Sequence, residues 1–240
     1  MTERSVELFA DGGRATRLHT RLRWWWCPFP LIEAEVPKNG DVLEVGCGHG
    51  LLSLYLGLQS RQRHVAGVDI DRDKIAEAND ALSRLHPSEA DVTFETVDPG
   101  FVPTGEWDAI VIADVLYLLP EDTQRALLEA AAGALADGGV LVVKEMGLRP
   151  RWKLQWNRVQ ETLATRVFRV TDSVGRGLSF VDPDVMGGWL AAAGLEVRHR
   201  RIDRGYPWPH HLIAGRRPDH RAASAAETAS TKASTSASSL

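Results

Sequence analysis

Residues 42–50 read VLEVGCGHG, an apolar run that ends in glycine at positions 46, 48 and 50. Alternate glycines between such a run and the helical stretch LLSLYLGLQ define a tight strand-to-helix turn whose backbone a bulky ligand can approach. The rest of the chain repeats the strand-then-helix rhythm. Apolar runs bounded by turn residues predict strands at 41–45, 64–69, 91–95, 108–113, 139–145, 195–202 and 211–216. Helical apolar spacing predicts helices at 50–58, 73–85, 121–136, 151–167 and 183–193, the last with Pro183 near its start and Gly194 at its end. This alternation predicts an α/β fold: a doubly wound, mostly parallel seven-stranded sheet with helices on both faces. The last two strands are joined by RGYPWPH, with no room for a crossover helix, so they form an antiparallel hairpin at one edge.

Three regions follow. Residues 1–35 form a helical extension or lid, residues 36–217 the α/β domain, and residues 218–240 a Ser/Ala-rich tail. That tail lacks the apolar surface needed to offset its ordering entropy, so disorder is expected there. The 240 residues carry 28 basic and 32 acidic side chains, a net charge of −4, which argues against a nucleic-acid partner. Two cysteines, Cys27 and Cys47, make no disulfide framework. The opening MTERSVELFA has charge where a secretory leader needs an apolar core, and no apolar stretch reaches the ~20 residues of a membrane span. The expectation is a cytoplasmic protein. No spacing suggests a metal site.

The predicted second strand ends in Asp69, about twenty residues past the glycines, where an acid can accept hydrogen bonds from ribose hydroxyls. An adenosine-containing cofactor is therefore expected. A dinucleotide fingerprint GxGxxG would need its third glycine at Leu51, and Gly50 comes one residue early. Glu44, just before the glycines, is a poor neighbour for a pyrophosphate and a good one for a cation. A nicotinamide-dependent oxidoreductase is thus the weaker alternative. A non-catalytic cofactor-binding partner subunit is another.

LEVGCGHG, GVDID, the acid of TVDPG, and WDAIVIADVLYLLP followed by LADGGVLVVKE resemble the successive motifs of class I S-adenosylmethionine-dependent methyltransferases, whose fold is Rossmann-like. The resemblance spans roughly residues 36–216. It implies that Glu44, Gly46, Cys47, Gly48 and Gly50 line the methionine end of S-adenosyl-L-methionine. It also implies that Asp69 takes the ribose hydroxyls, Ile70 packs on adenine, Asp98 meets the adenine amino group and Asp114 lies beside the sulfonium. His49 is expected to support the loop.

In such an enzyme the protein supplies position, and a base where the acceptor must lose a proton. Candidate bases are Asp114, Tyr117, Glu145, His210 and His211. ADVLY after the fourth strand is not the Asn/Asp-Pro-Pro-aromatic signature of nucleic-acid amino methyltransferases, which leaves a small or lipid-like acceptor. The segment KEMGLRPRWKLQWNRVQETL brings together Arg149, Arg151, Trp152, Lys153, Trp156 and Arg158, a set suited to an anionic acceptor with an apolar portion. The stretch RLHTRLRWWWCPFP, with Trp25 at its centre, is open to three readings. It is a lid over the acceptor, a peripheral contact with an anionic membrane surface, or core packing. Oxygen is the preferred methyl-accepting atom.

Overall fold

A computed structural model describes residues 2–147, 179–206 and 208–219. The seven strands are β1 (Asn39–Val45), β2 (Gln62–Asp69), β3 (Asp91–Thr96), β4 (Trp107–Ala113), β5 (Leu135–Met146), β6 (Glu196–Arg201) and β7 (His210–Arg216). They form one sheet in the order β3-β2-β1-β4-β5-β7-β6. Strands β1 to β5 pair in parallel, and β7 runs antiparallel to both β5 and β6, as the missing crossover helix requires. The order reverses between β1 and β4, the switch point beside which open α/β sheets bind ligands.

Both faces of the sheet are covered, so its central strands are apolar throughout rather than alternating. On one face Val42, Ala109, Val111, Val140 and Val142 pack with α4 (Leu51–Gln59). On the other, Leu43, Ile110, Ile112, Leu141 and Val143 pack with α6 (Glu121–Gly133) and α7 (Pro183–Ala192). Helix α5 (Arg72–Leu82) is capped by Asp71, whose side chain accepts from the backbone N–H groups of Asp73 and Lys74. The predicted helix at 121–136 is shorter than expected. It ends at Gly133 and β5 begins at Leu135, because Leu135 already pairs with Trp107 and a bulge absorbs the following residues.

The N-terminal stretch folds into α1 (Thr2–Glu7), α2 (Arg14–Trp26) and α3 (Phe29–Glu33). Leu8, Phe9, Cys27, Phe29 and Ile32 join the same core as Val42 and Val111, so these helices are packed onto the sheet. Arg63 fastens them from below. Its buried guanidinium donates to the carbonyls of Val36 (2.7 Å), Pro37 (2.5 Å) and Leu56 (3.0 Å) and pairs with Glu33 at 2.9 Å. The predicted helix at 151–167 and residues 220–240 of the predicted tail lie outside the described residues.

Candidate active site

The turn after β1 is held by its own backbone. Gly46 and Cys47 both donate to the Val68 carbonyl, at 2.8 and 3.0 Å, which folds the loop against the end of β2. Two of the glycines make room for the protein itself. With φ at +76°, a Cβ on Gly46 would lie 2.4 Å from Val115, and one on Gly50, at φ +78°, would lie 2.4 Å from Phe94. Gly48 is different: a Cβ there would meet only Lys74, at 3.9 Å. The open approach expected of the whole motif is therefore concentrated at Gly48. Cys47 is buried, and burial together with Glu44 raises its thiol pKa, so it remains a neutral wall of the loop.

Asp69 closes the turn. One carboxylate oxygen accepts from the Gly48 N–H at 2.7 Å, the other from the Asp71 N–H at 2.9 Å. A carboxylate offers about four acceptor positions, so two are left for hydroxyls in the space beside Gly48. Ile70 follows, its side chain exposed and apolar at the same edge. Asp98 is exposed in the loop after β3.

Glu44 is buried and accepts a hydrogen bond from Ser53 of α4. Burial pushes its pKa up to about 7, against the pull of Ser53 and of Arg23. Across the loop, Asp114 sits at φ +61°, a left-handed conformation unusual for a residue with a side chain. It is paired with Lys144 of β5, and the Arg23 guanidinium of α2 stands 3.7 Å away. Burial alone would raise its pKa, but Lys144 and Arg23 outweigh it and hold the carboxyl below its usual value. Arg23 is paired with Asp114 and feels the charge of Glu44 as well.

Helix α2 covers this place. His19 meets His49 at a tilt of 43° with ring centroids 4.8 Å apart, Thr16 donates to Glu77 at 2.6 Å, and Arg23 reaches the Ala113 carbonyl at 3.4 Å. His49 also faces Glu77, at 3.5 Å.

The candidate bases separate clearly. Glu145 is buried, and one oxygen accepts from the Val115 and Leu116 N–H groups at 3.2 and 2.8 Å, capping the short 3₁₀ turn Leu116–Leu118. Burial, then the charge of Asp114, pushes its pKa up to about 8. Tyr117 stacks on Phe180 at 5.4 Å, and burial raises its phenol pKa. The Nε2 of His210 bonds to the Trp26 carbonyl at 2.7 Å, and burial followed by Lys144 lowers its pKa to about 4. These three are engaged with the fold.

His211 is engaged differently. Its Nδ1 lies 2.8 Å from His199 Nε2, and His199 Nδ1 lies 2.8 Å from Asp184, at the start of α7. A carboxylate only accepts, so His199 Nδ1 carries the hydrogen that points at Asp184. In the neutral ring Nε2 is then the acceptor and His211 Nδ1 the donor, so His211 Nε2 carries a lone pair. That nitrogen lies over Gly147, where a Cβ would approach it to 2.4 Å.

Sequence reasoning did not single out Lys144, His199 or Asp184. Lys144 had a signal, a lysine closing an apolar strand; the other two meet His211 only through the pairing of β6 with β7 and the docking of α7. Trp25, expected at the acceptor, is 76% exposed on the outer face of α2. The WWW run is divided: Trp24 packs inward on Phe29 and Tyr55, and Trp26 meets Trp208. Arg149, Arg151, Trp152, Lys153, Trp156 and Arg158 lie outside the described residues. A shallow pocket lined by Asp41, His64, Thr104, Gly105, Glu106 and Trp107 lies at the opposite, amino edge of the strands.

The glycine turn after β1, Asp69 at the end of β2 and Asp114 after β4 all lie at the carboxyl edge of the sheet, beside its switch point. Residues 26–200 match the family described as a methyltransferase domain, and the chain belongs to it. A ubiquinone biosynthesis O-methyltransferase of Marinobacter nauticus is 29% identical over 175 residues, covering 70% of this chain and 68% of that protein. A ribosomal protein L11 methyltransferase of Idiomarina loihiensis is 25% identical over 199 residues, 80% of this chain and 57% of the relative. Among solved structures, magnesium protoporphyrin IX methyltransferase from Synechocystis PCC 6803 with bound SAH superposes with a TM-score of 0.62 at 18% identity, covering 90% of this chain and 93% of that one. The protein is a class I methyltransferase that uses S-adenosylmethionine, and the nicotinamide reading is set aside. The cofactor supplies an electrophilic methyl group. Asp69 and the open backbone at Gly48 fit its ribose side, and the acids Glu44 and Asp114 fit its positive charge.

Proposed function

We propose that the protein methylates a hydroxyl group of a small anionic or amphipathic acceptor, with His211 taking the hydroxyl proton. The observation that carries this reading is the Asp184–His199–His211 chain, which makes His211 Nε2 the acceptor nitrogen of its ring at the carboxyl edge of the sheet. Burial first, then His199 and Arg201, keep the His211 pKa below its ordinary value. At pH 7 the ring is therefore neutral and able to accept a proton. His211 Nε2 would take the hydroxyl proton, and the bound cofactor would supply the methyl group; holding the acceptor in place supplies much of the rate. Lys144 and Arg23 fix Asp114 in position beside them. The likeness to ubiquinone biosynthesis O-methyltransferases supports oxygen as the accepting atom. Arg149, Arg151, Trp152 and Trp156 are the proposed acceptor contacts, forks for an anion and apolar cover for its body.

The test is transfer of a labelled methyl group from S-adenosylmethionine into a panel of catechols, long-chain phenols and acidic hydroxy lipids. With an accepted compound, His211→Gln should lower kcat by about 10²- to 10⁴-fold while leaving cofactor affinity unchanged. His199→Phe should reproduce part of that loss and move the acidic limb of the pH profile. An unchanged kcat in His211→Gln removes the base assignment. Methylation of amines or thiols alone removes the oxygen assignment.

A further inference from the structure

Helix α2 has two faces with different tasks. Thr16, Thr20 and Arg23 turn inward to the cofactor loop. The outward face carries Arg14, Arg17, Leu18, Arg21 and Trp25, at the i, i+3, i+4, i+7 and i+11 positions of one helical stripe. Leu18 is 60% exposed and Trp25 76%, and Trp26, 41% exposed, continues the apolar line to Trp208 of the β6–β7 loop. No acid occurs from residue 12 to residue 32. The neighbouring Asp11 is turned to Arg84 at 3.8 Å. A helix of about 20 Å therefore presents three arginines with leucine and tryptophan between them, on a chain whose net charge is negative.

We infer that the outer face of α2 is a docking surface for an anionic lipid bilayer. The chemistry is complementary at both levels. Arginine is drawn to the negative potential of acidic headgroups, and tryptophan and leucine bury in the boundary between headgroups and acyl chains. A folded partner protein would need acids matched to Arg14, Arg17 and Arg21 one by one, whereas a lipid surface needs only mean negative charge and a soft apolar layer. No helix among the described residues is long and apolar enough to cross a membrane, so the contact is peripheral. Docking through this face places the opposite face, with Arg23 and the glycine turn, directly above the surface. The inference stands apart from the identity of the methyl acceptor.

Co-sedimentation of the full chain with phosphatidylglycerol/phosphatidylcholine vesicles, against pure phosphatidylcholine, tests it. Binding is expected to the acidic vesicles only and to weaken steeply with salt. Replacing Arg14, Arg17 and Arg21 together by Gln should lower the partition coefficient by on the order of a hundredfold. Trp25→Ser with Leu18→Ser should lower it as well, with melting temperature and S-adenosylhomocysteine binding unchanged in both variants. Failure of the parent chain to sediment with acidic vesicles overturns the inference, as does parent-like binding by the arginine variant. A dimer in solution that the Trp25→Ser/Leu18→Ser variant dissociates, without vesicle binding, would reassign the face to a second copy of the chain.

Discussion

Lys144, 1% exposed, is ion-paired with Asp114 across the carboxyl edge of strands β4 and β5. The two strands bring them together in register. Lys144 lies opposite Ala113, and its carbonyl accepts the Asp114 N–H at 3.0 Å. The pair anchors a residue with a left-handed backbone, φ +61°, directly after β4.

Removing the lysine leaves a buried carboxylate with Arg23 at 3.7 Å as the remaining ion-pair partner among the described residues, beside the Cys27 thiol at 4.0 Å. Lys144→Met should therefore destabilise the fold by roughly 3–5 kcal/mol in denaturant unfolding. Adding Asp114→Asn to that variant should recover part of the loss, because the unpaired charge is gone. Additive effects of the two changes would show that the pair is not coupled.

Arg63 is the second buried cation, and it supports the fold rather than the chemistry. Arg63→Met strands the carbonyls of Val36, Pro37 and Leu56 and leaves the largely buried Glu33 to Lys38. A loss of about 3 kcal/mol or more is expected, read as a lower denaturation midpoint. A midpoint shift under a tenth of that size would mean water replaces the guanidinium freely.

Glu145 gives a pH dependence with a definite sign. Its folded pKa, about 8, lies above its ordinary 4.5, so the stability it contributes is present below pH 4.5 and lost as pH rises toward 8. Gln keeps the acceptor for Val115 and Leu116 without this liability. Glu145→Gln should match the parent at pH 5 and exceed it at pH 8, by on the order of a few kcal/mol. Parallel melting curves across that range would remove the assignment.

Glu44 ties the same physics to binding. Its pKa of about 7 in the free protein means that raising pH from 6 to 8 ionises it, and an ionised Glu44 attracts a cationic cofactor. Calorimetric affinity for S-adenosylmethionine should rise over that range and level above it. In Glu44→Gln the rise should vanish.

Asp69 joins loop and ligand. Asp69→Ala removes acceptors for the Gly48 and Asp71 N–H groups as well as for ribose. Cofactor affinity should fall at least tenfold, about 1.4 kcal/mol, with S-adenosylhomocysteine falling in parallel because the two share the nucleoside. A selective loss of one of them would place Asp69 elsewhere.

The strand-and-helix order was legible because each element writes its own period locally: unbroken apolar runs where β4 and β5 are covered on both faces, 3.6-residue spacing in α5, glycine where φ must be positive. The site was legible only where a motif is local too. Glu44, Gly48 and Asp69 announce themselves by position around one turn. Glu145 and Tyr117 suggested bases from the sequence, and no local pattern told that one accepts from backbone N–H groups and the other stacks on Phe180.

What the sequence alone determined is therefore the sheet, the turn and the cofactor, since their signals lie within a few residues of one another. Tertiary structure decided the rest. It split Trp24 from Trp25, paired Lys144 with Asp114, and connected Asp184 and His199 to His211. Each of these depends on strand register and helix docking between segments far apart in the chain. A one-residue slip of β6 against β7 would turn His199 to the other face, and no local pattern near His211 records that choice.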